Sequence, residues 1–245
     1  MKNESHKTAI PRKEWSKPGR WLYEHFFQKD NITLGSMLDF GAGKSIDSEC
    51  WRKETGAIAR AYDKVEQPQF PGRGSRPDRQ FELVTVIFVL NVVETDQKRI
   101  EILNDAMKYV MPDGYIFIAT RSKKDIANAV KKGKNWTKLP SGAYVSDPTK
   151  NTIQCGVDDQ DIQSLILKSD YSHFTYKELN KRPSAGFAFV SLLTSCSCSV
   201  LCELVTTTVS TLSYAFLMHS NGFTNMVRRN HIFDVLSETF QLNKS

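Results

Sequence analysis

The sequence predicts an α/β fold, with a mostly parallel sheet, helices on both faces and an antiparallel hairpin at the C-terminal edge. Three observations carry this. Short apolar runs recur along the first half of the chain, the intervals between them hold helical spacing or turn residues, and two more strand-like runs follow a late helix. Strands alternating with helices build a parallel sheet, because each crossover must return the chain to the same end.

The elements follow in order. Residues 1–20 are basic and turn-rich, with Pro11 and Pro18 limiting regular structure. Trp21 to Gln28 fits a short amphipathic helix with Trp21, Leu22, His25 and Phe26 on one face. Ser36-Met37-Leu38-Asp39-Phe40 is an apolar run ending in Gly41-Ala42-Gly43, the pattern of a buried parallel strand entering a tight turn. Ser45 to Thr55 reads as a helix that Gly56 stops. Ala57 to Tyr62 is a second strand ending at Asp63, and the Pro- and Gly-rich stretch from Val65 to Arg79 is a loop.

Phe81 to Val93 holds the strongest strand, extended over its first eight or nine residues. Lys98 to Val110 places Ile100, Leu103, Ala106, Met107 and Val110 on one helical face. Pro112-Asp113-Gly114 is a turn before a buried strand, Tyr115 to Thr120. Asp158 to Lys168 is a further helix, and His173 to Leu179 with Phe187 to Leu193 form the closing hairpin. From Thr194 the composition shifts to Ser, Thr and Cys.

With 245 residues and 40% hydrophobic content, the chain is long enough for one domain with an appendage. Its net charge of +6 suits an acidic partner or simple solubility. Five cysteines, unevenly placed and odd in number, do not make a disulfide scaffold; a cytoplasmic protein is expected. The histidines lack metal-ligand spacing, and Cys196, Cys198 and Cys202 lack a partner pair, so no metal site is expected. Residues 192–218 are long enough to span a bilayer, but Glu203 and many Ser and Thr residues argue against it, so no membrane partner is expected.

The chemistry is carried by Asp39-Phe40-Gly41-Ala42-Gly43. Parallel α/β sheets bind ligands at the carboxyl ends of their strands. Glycine there lets backbone approach a ligand, and the helix that follows presents N–H groups and a positive dipole end. At the next strand end the Asp63 carboxylate can accept both hydrogen bonds of a ribose diol. These features together fit an adenosine-containing cofactor. Ser45 stands where a dinucleotide fingerprint has its third glycine, which disfavours a pyrophosphate.

Leu38-Asp39-Phe40-Gly41-Ala42-Gly43 resembles motif I of the class I S-adenosylmethionine (SAM)-dependent methyltransferases, a Rossmann-like family, and Asp63 matches their ribose-binding acid. Phe81 to Val93 is similar to the family's fourth strand and the loop after it, and Met111-Pro112-Asp113-Gly114-Tyr115 to the turn before its fifth. A narrower resemblance, to DNA phosphorothioation-associated methyltransferase-like proteins, lies in 6–13, Gly43-Lys44-Ser45-Ile46-Asp47 and Val89-Leu90-Asn91-Val92-Val93. Two features depart from the family pattern: the 64–80 stretch is too short for the usual helix and third strand, and Glu82 replaces an aspartate.

The resemblance implies SAM as cofactor, held by Asp39, Gly41, Ala42, Gly43, Asp63, Val89 and Leu90, with Asn91 as the candidate at the transfer site. It divides the chain into a basic segment, 1–35, covering the cofactor site, a SAM-binding domain, 36–193, and an extension, 194–245. Asn91 equally suits a cap after the strand. Val92-Val93-Glu94 follows it rather than Pro-Pro-aromatic, which lowers the expectation of an amino-methylating DNA enzyme. Lys7, Arg12, Lys13, Arg121, Lys123, Lys124 and Trp136 are candidate nucleic-acid contacts, or a solvated lysine-rich face. The acceptor is therefore expected to be nucleic acid, with a small molecule as the alternative. A SAM-binding accessory protein without methyl transfer is a further reading.

Overall fold

A computed structural model describes residues 9, 11–29, 31–65 and 69–172, and the backbone of 175–178 and 190–194. Strands β1 (Ser36–Phe40), β2 (Ile58–Tyr62), β3 (Phe81–Ile87) and β4 (Val110–Ala119) run parallel in the order β2-β1-β3-β4. β4 then pairs antiparallel with β9 (Val190–Thr194), and β9 with β8 (Thr175–Glu178), which completes the six-stranded sheet with the expected hairpin. The fold is the Rossmann-like α/β arrangement expected from the sequence. By chain contacts the molecule divides between Ser197 and Cys198, and the second unit lies outside the described residues.

The sheet is buried on both faces, as its unbroken apolar runs require. All five residues of β1 are buried. On one side Leu38, Val84, Ile116 and Ile118 pack with Leu103, Met107, Ile162 and Ile166 of helices α3 (Asp96–Met107) and α5 (Asp159–Leu167). On the other, Met37, Leu83 and Phe117 pack with Trp51 of α2 (Asp47–Thr55) and with Trp21, Leu22 and Phe27. Helix α4 (Lys123–Lys131) follows β4.

Four local expectations need correction. The N-terminal helix starts earlier: α1 (Lys17–Leu22) is capped by Ser16, which accepts from the Gly19 N–H, and Pro18 sits in its first turn, where a missing N–H costs nothing. It continues as a π-helical turn, Tyr23–Gln28, that buries Phe26 and Phe27 and leaves His25 exposed. α3 ends at Met107, not Val110. Pro112-Asp113-Gly114 does not precede β4 but bulges from it, since Phe81 pairs with Val110 while Leu83 pairs with Tyr115.

Between α4 and α5 lies a second sheet, absent from the sequence reading. Its antiparallel strands are β5 (Thr137–Lys138), β6 (Tyr144–Asp147) and β7 (Thr152–Gln154). The Cys155 N–H donates to the Asn91 carbonyl at 2.7 Å, so β7 ends against the chain leaving β3. The insertion is thereby anchored at the carboxyl end of the parallel sheet.

Candidate functional site

β1 delivers Gly41-Ala42-Gly43 to the carboxyl edge of the sheet. The Gly41 and Ala42 N–H groups both donate to the Tyr62 carbonyl, at 2.8 and 3.0 Å, which bends the chain sharply between β1 and β2. Gly41 and Gly43 take φ of 74° and 52°, a region that costs other residues energy. The close approach that excludes a side chain at Gly41 is internal: a Cβ there would stand 2.5 Å from Val89 Cγ2. At Gly43 it would meet the Ala9 Cβ at 3.0 Å, which places the start of the described chain over the turn.

Two buried carboxylates lie beneath this turn. Asp39, 2% exposed, accepts from Thr85 Oγ1 at 3.3 Å through Oδ1, while Oδ2 has no hydrogen-bond partner among the described residues. Burial, with the charge of Asp47 adding to it, pushes the Asp39 carboxyl up to about 8, well above the ordinary carboxylate range. Asp47 is also raised by burial, against the opposing hydrogen bonds from Ser16. It opens α2 and accepts from the Ser16 N–H at 2.6 Å and from the Ser16 hydroxyl. The helix end expected to receive an anion thus already carries a carboxylate of its own chain.

Asp63 is engaged with the turn. Its Oδ2 accepts from the Gly43 N–H at 2.7 Å and its Oδ1 from the Val65 N–H at 2.9 Å, leaving the remaining lone pairs for a diol. The sequence reading missed Arg73, which is 5% exposed. Its Nη1 donates to the Gly43 carbonyl at 2.9 Å, its Nη2 pairs with Glu49 Oε1 at 2.8 Å, and its guanidinium lies 3.9 Å from the centre of the Phe70 ring. The Asp63 N–H in turn donates to the Arg73 carbonyl at 3.0 Å. Nothing in a Pro- and Gly-rich loop distinguishes one arginine whose partner is a backbone carbonyl from its neighbours Arg76 and Arg79.

After β3 the chain turns through Phe88, at φ 60°, into a single 3-10 turn, Leu90–Val92. Val89 projects onto Gly41, whereas Leu90 is fully buried and belongs to the core. Arg99, also missed, holds this turn: Nε donates to the Leu90 carbonyl at 3.0 Å, Nη2 to the Val93 carbonyl, and Nη1 pairs with Asp96 at 2.7 Å. Asn91 is 1% exposed.

The Asn91 amide is oriented by the inserted sheet. Arg121 Nη1 donates to Gln154 Oε1 at 3.3 Å, and Asn91 Nδ2 donates to the same oxygen at 3.3 Å. Arginine only donates, so it requires the Gln154 oxygen here, and that oxygen requires the nitrogen of Asn91. Asn91 Oδ1 is left buried without a hydrogen-bond partner among the described residues. The Arg121 guanidinium lies 5.5 Å from the Trp136 ring centre, and Trp136 lies 6.4 Å from Tyr144. Asn91, Arg121 and Trp136 therefore belong to one connected group.

The other basic candidates are scattered. Lys7 lies outside the described residues. Arg12 is half-buried, and its charge favours ionised Asp47; Lys13 and Lys124 are exposed. Lys123 Nζ pairs with Asp161 at 2.7 Å, which raises its pKa, and Arg121 Nε pairs with Asp125 at 2.6 Å. Among the described residues no cluster of His, Cys, Asp and Glu could hold a metal, and no helix is long and apolar enough to cross a membrane. Cys196, Cys198 and Cys202 fall outside them.

No protein-family profile matches the chain, and no curated protein does. Solved structures do resemble it. The 1,6-didemethyltoxoflavin-N1-methyltransferase of Burkholderia thailandensis, crystallised with 1,6-didemethyltoxoflavin and S-adenosylhomocysteine, is 15% identical over 74% of this chain and 77% of its own, with a TM-score of 0.49. The N-methyltransferase NodS of Bradyrhizobium japonicum, with S-adenosylhomocysteine, is 11% identical over 73% and 85%, at 0.45. A SAM-dependent methyltransferase of Clostridium acetobutylicum is 9% identical over 78% and 94%, at 0.46. The likeness is one of chain fold.

Proposed function

We propose that this chain binds SAM and transfers its methyl group to a small organic acceptor. One observation carries the reading: the glycine turn after β1 and the carboxylate after β2 are joined by the 2.7 Å bond from the Gly43 N–H to Asp63. A backbone turn for an amino-acid moiety and a diol acceptor thus lie side by side at the carboxyl end of a parallel sheet. The unpartnered Asp39 Oδ2 beneath the turn fits a polar group of a ligand.

When bound, SAM supplies a methyl group activated by its sulfonium. Asp63 would receive the ribose hydroxyls, and Gly41 to Gly43 would line the methionine end. Val89, packed on Gly41, fixes the spacing between that end and the turn holding Asn91. Asn91 Oδ1, oriented by Gln154, accepts a hydrogen bond from an N–H or O–H of the acceptor and aligns its nucleophilic atom.

A small acceptor is favoured over nucleic acid because Arg121 and Lys123, two of the expected phosphate contacts, are each committed to a carboxylate. Lys13, Lys124, Lys131, Lys132, Lys134 and Lys138, all exposed, remain as phosphate contacts. The narrower resemblance to phosphorothioation-associated proteins rests on short motifs and adds nothing about the acceptor.

Purified protein incubated with methyl-labelled SAM and a cell extract tests the reading. Label is expected in the small-molecule fraction, and Asn91→Ala is expected to lower its rate of appearance about 100-fold with unchanged S-adenosylhomocysteine affinity. Label in DNA or RNA would overturn the acceptor class. Absence of label, with S-adenosylhomocysteine still bound, would leave a SAM-binding accessory protein.

A further inference from the structure

Three hydrogen bonds close a ring among Gly43, Asp63 and Arg73. The Gly43 N–H donates to the Asp63 carboxylate, the Asp63 N–H to the Arg73 carbonyl, and the Arg73 guanidinium to the Gly43 carbonyl. Both polar groups of the Gly43 peptide are therefore held from the 63–73 stretch. The second arm of the Arg73 guanidinium reaches Glu49 on α2, and the Phe70 ring covers it. A loop that only needed anchoring could bury an apolar side chain at no desolvation cost, whereas this one buries a charge and spends it on the cofactor turn.

From this geometry we infer that Arg73 is a positioning residue of the cofactor site, making the ribose end at Asp63 and the amino-acid end at Gly43 close as one unit. The inference rests on the cofactor reading above. Arg73 also answers how so short a 64–80 stretch supports the site: a side chain ties the loop to the turn where the family has a helix and a strand. The fork geometry matters, because two donor directions reach Gly43 and Glu49 at once, and a lysine ammonium on a single stem does not reproduce both.

The test is titration of the full chain with S-adenosylhomocysteine, with hydrogen exchange followed in the bound and free protein. In the wild type, binding is expected to slow exchange in both 40–46 and 69–75. In Arg73→Lys the affinity is expected to fall about tenfold or more, with protection confined to 40–46 and the melting temperature of the free protein within about 3 °C of wild type. If Arg73→Lys does not fold, Glu49→Ala, which removes the acceptor of one arm, is judged by the same two readouts. Affinity within twofold of wild type, or protection of 69–75 persisting in the variant, overturns the inference, as does a lowered melting temperature with unchanged affinity. A wild type that binds no S-adenosylhomocysteine overturns the cofactor reading and this inference with it.

Discussion

Asp39 shows how much a single position can be asked to do. It is the penultimate residue of β1 and lies in the core, yet it carries a carboxyl with one oxygen unpartnered among the described residues. In the unfolded chain it loses its proton near 3.8, whereas in the folded protein it keeps it to about 8. Between those values the folded state binds more protons, so stability falls as pH rises from about 4 to about 8 and levels off beyond. Asp47, raised in the same direction, adds to that slope. Asp39→Asn removes the Asp39 share, so its urea midpoint is expected to decline less steeply than wild type between pH 5 and 8. Parallel declines would mean that Asp39 is ionised throughout. The sequence identified this aspartate by its place before the glycines, but not its protonation, which depends on Asp47, Thr85 and burial brought together only by folding.

At the scale of elements, legibility followed length and periodicity. The run Ser36 to Phe40 was readable to the residue because five consecutive buried positions leave no other strand register. The helix after Asp158 was equally plain, and its Asp158–Asp161 capping box explains why it starts there. The inserted sheet was invisible, since strands of two to four residues are too short to show alternation. What holds it is not apolar patterning but specific bonds. The Thr120 hydroxyl donates to the Val157 carbonyl at 2.8 Å, and the Val157 N–H to the Arg121 carbonyl at 2.8 Å. Gly156 makes that return path possible, because a Cβ there would lie 2.4 Å from the Lys123 Cα and 2.6 Å from its nitrogen. Gly156→Ala is expected to cost about 1–3 kcal/mol, read as a lowered denaturation midpoint, since the backbone of α4 must shift to admit it. It should also loosen the orientation of Asn91, which Gln154 and Cys155 secure two and one residues earlier.

For the whole molecule, the charge of +6 is a weaker guide to partners than it looked. Arg121, Lys123, Arg73 and Arg99 are all paired with carboxylates of the same chain. Duplex DNA is therefore expected to bind only at low salt, through the exposed Lys13, Lys124, Lys131, Lys132, Lys134 and Lys138 at most, so that log affinity falls by no more than about five units per log unit of salt. A steeper slope, with binding retained at physiological salt, would restore an extended phosphate-contacting surface.

The antiparallel pairing of β9 with β4 also has a consequence in time. A chain made from its N-terminus completes β2-β1-β3-β4 once Ala119 is out, but the strand that covers the outer side of β4 begins only at Val190. In between, the ribosome must deliver α4, the inserted sheet and α5. At about 5–20 residues per second that interval lasts several seconds, during which Tyr115-Ile116-Phe117-Ile118 presents an unpaired apolar edge to every neighbouring nascent chain. The same connectivity that sets the inserted sheet between β4 and β9 leaves β4 the strand most exposed to mispairing during synthesis.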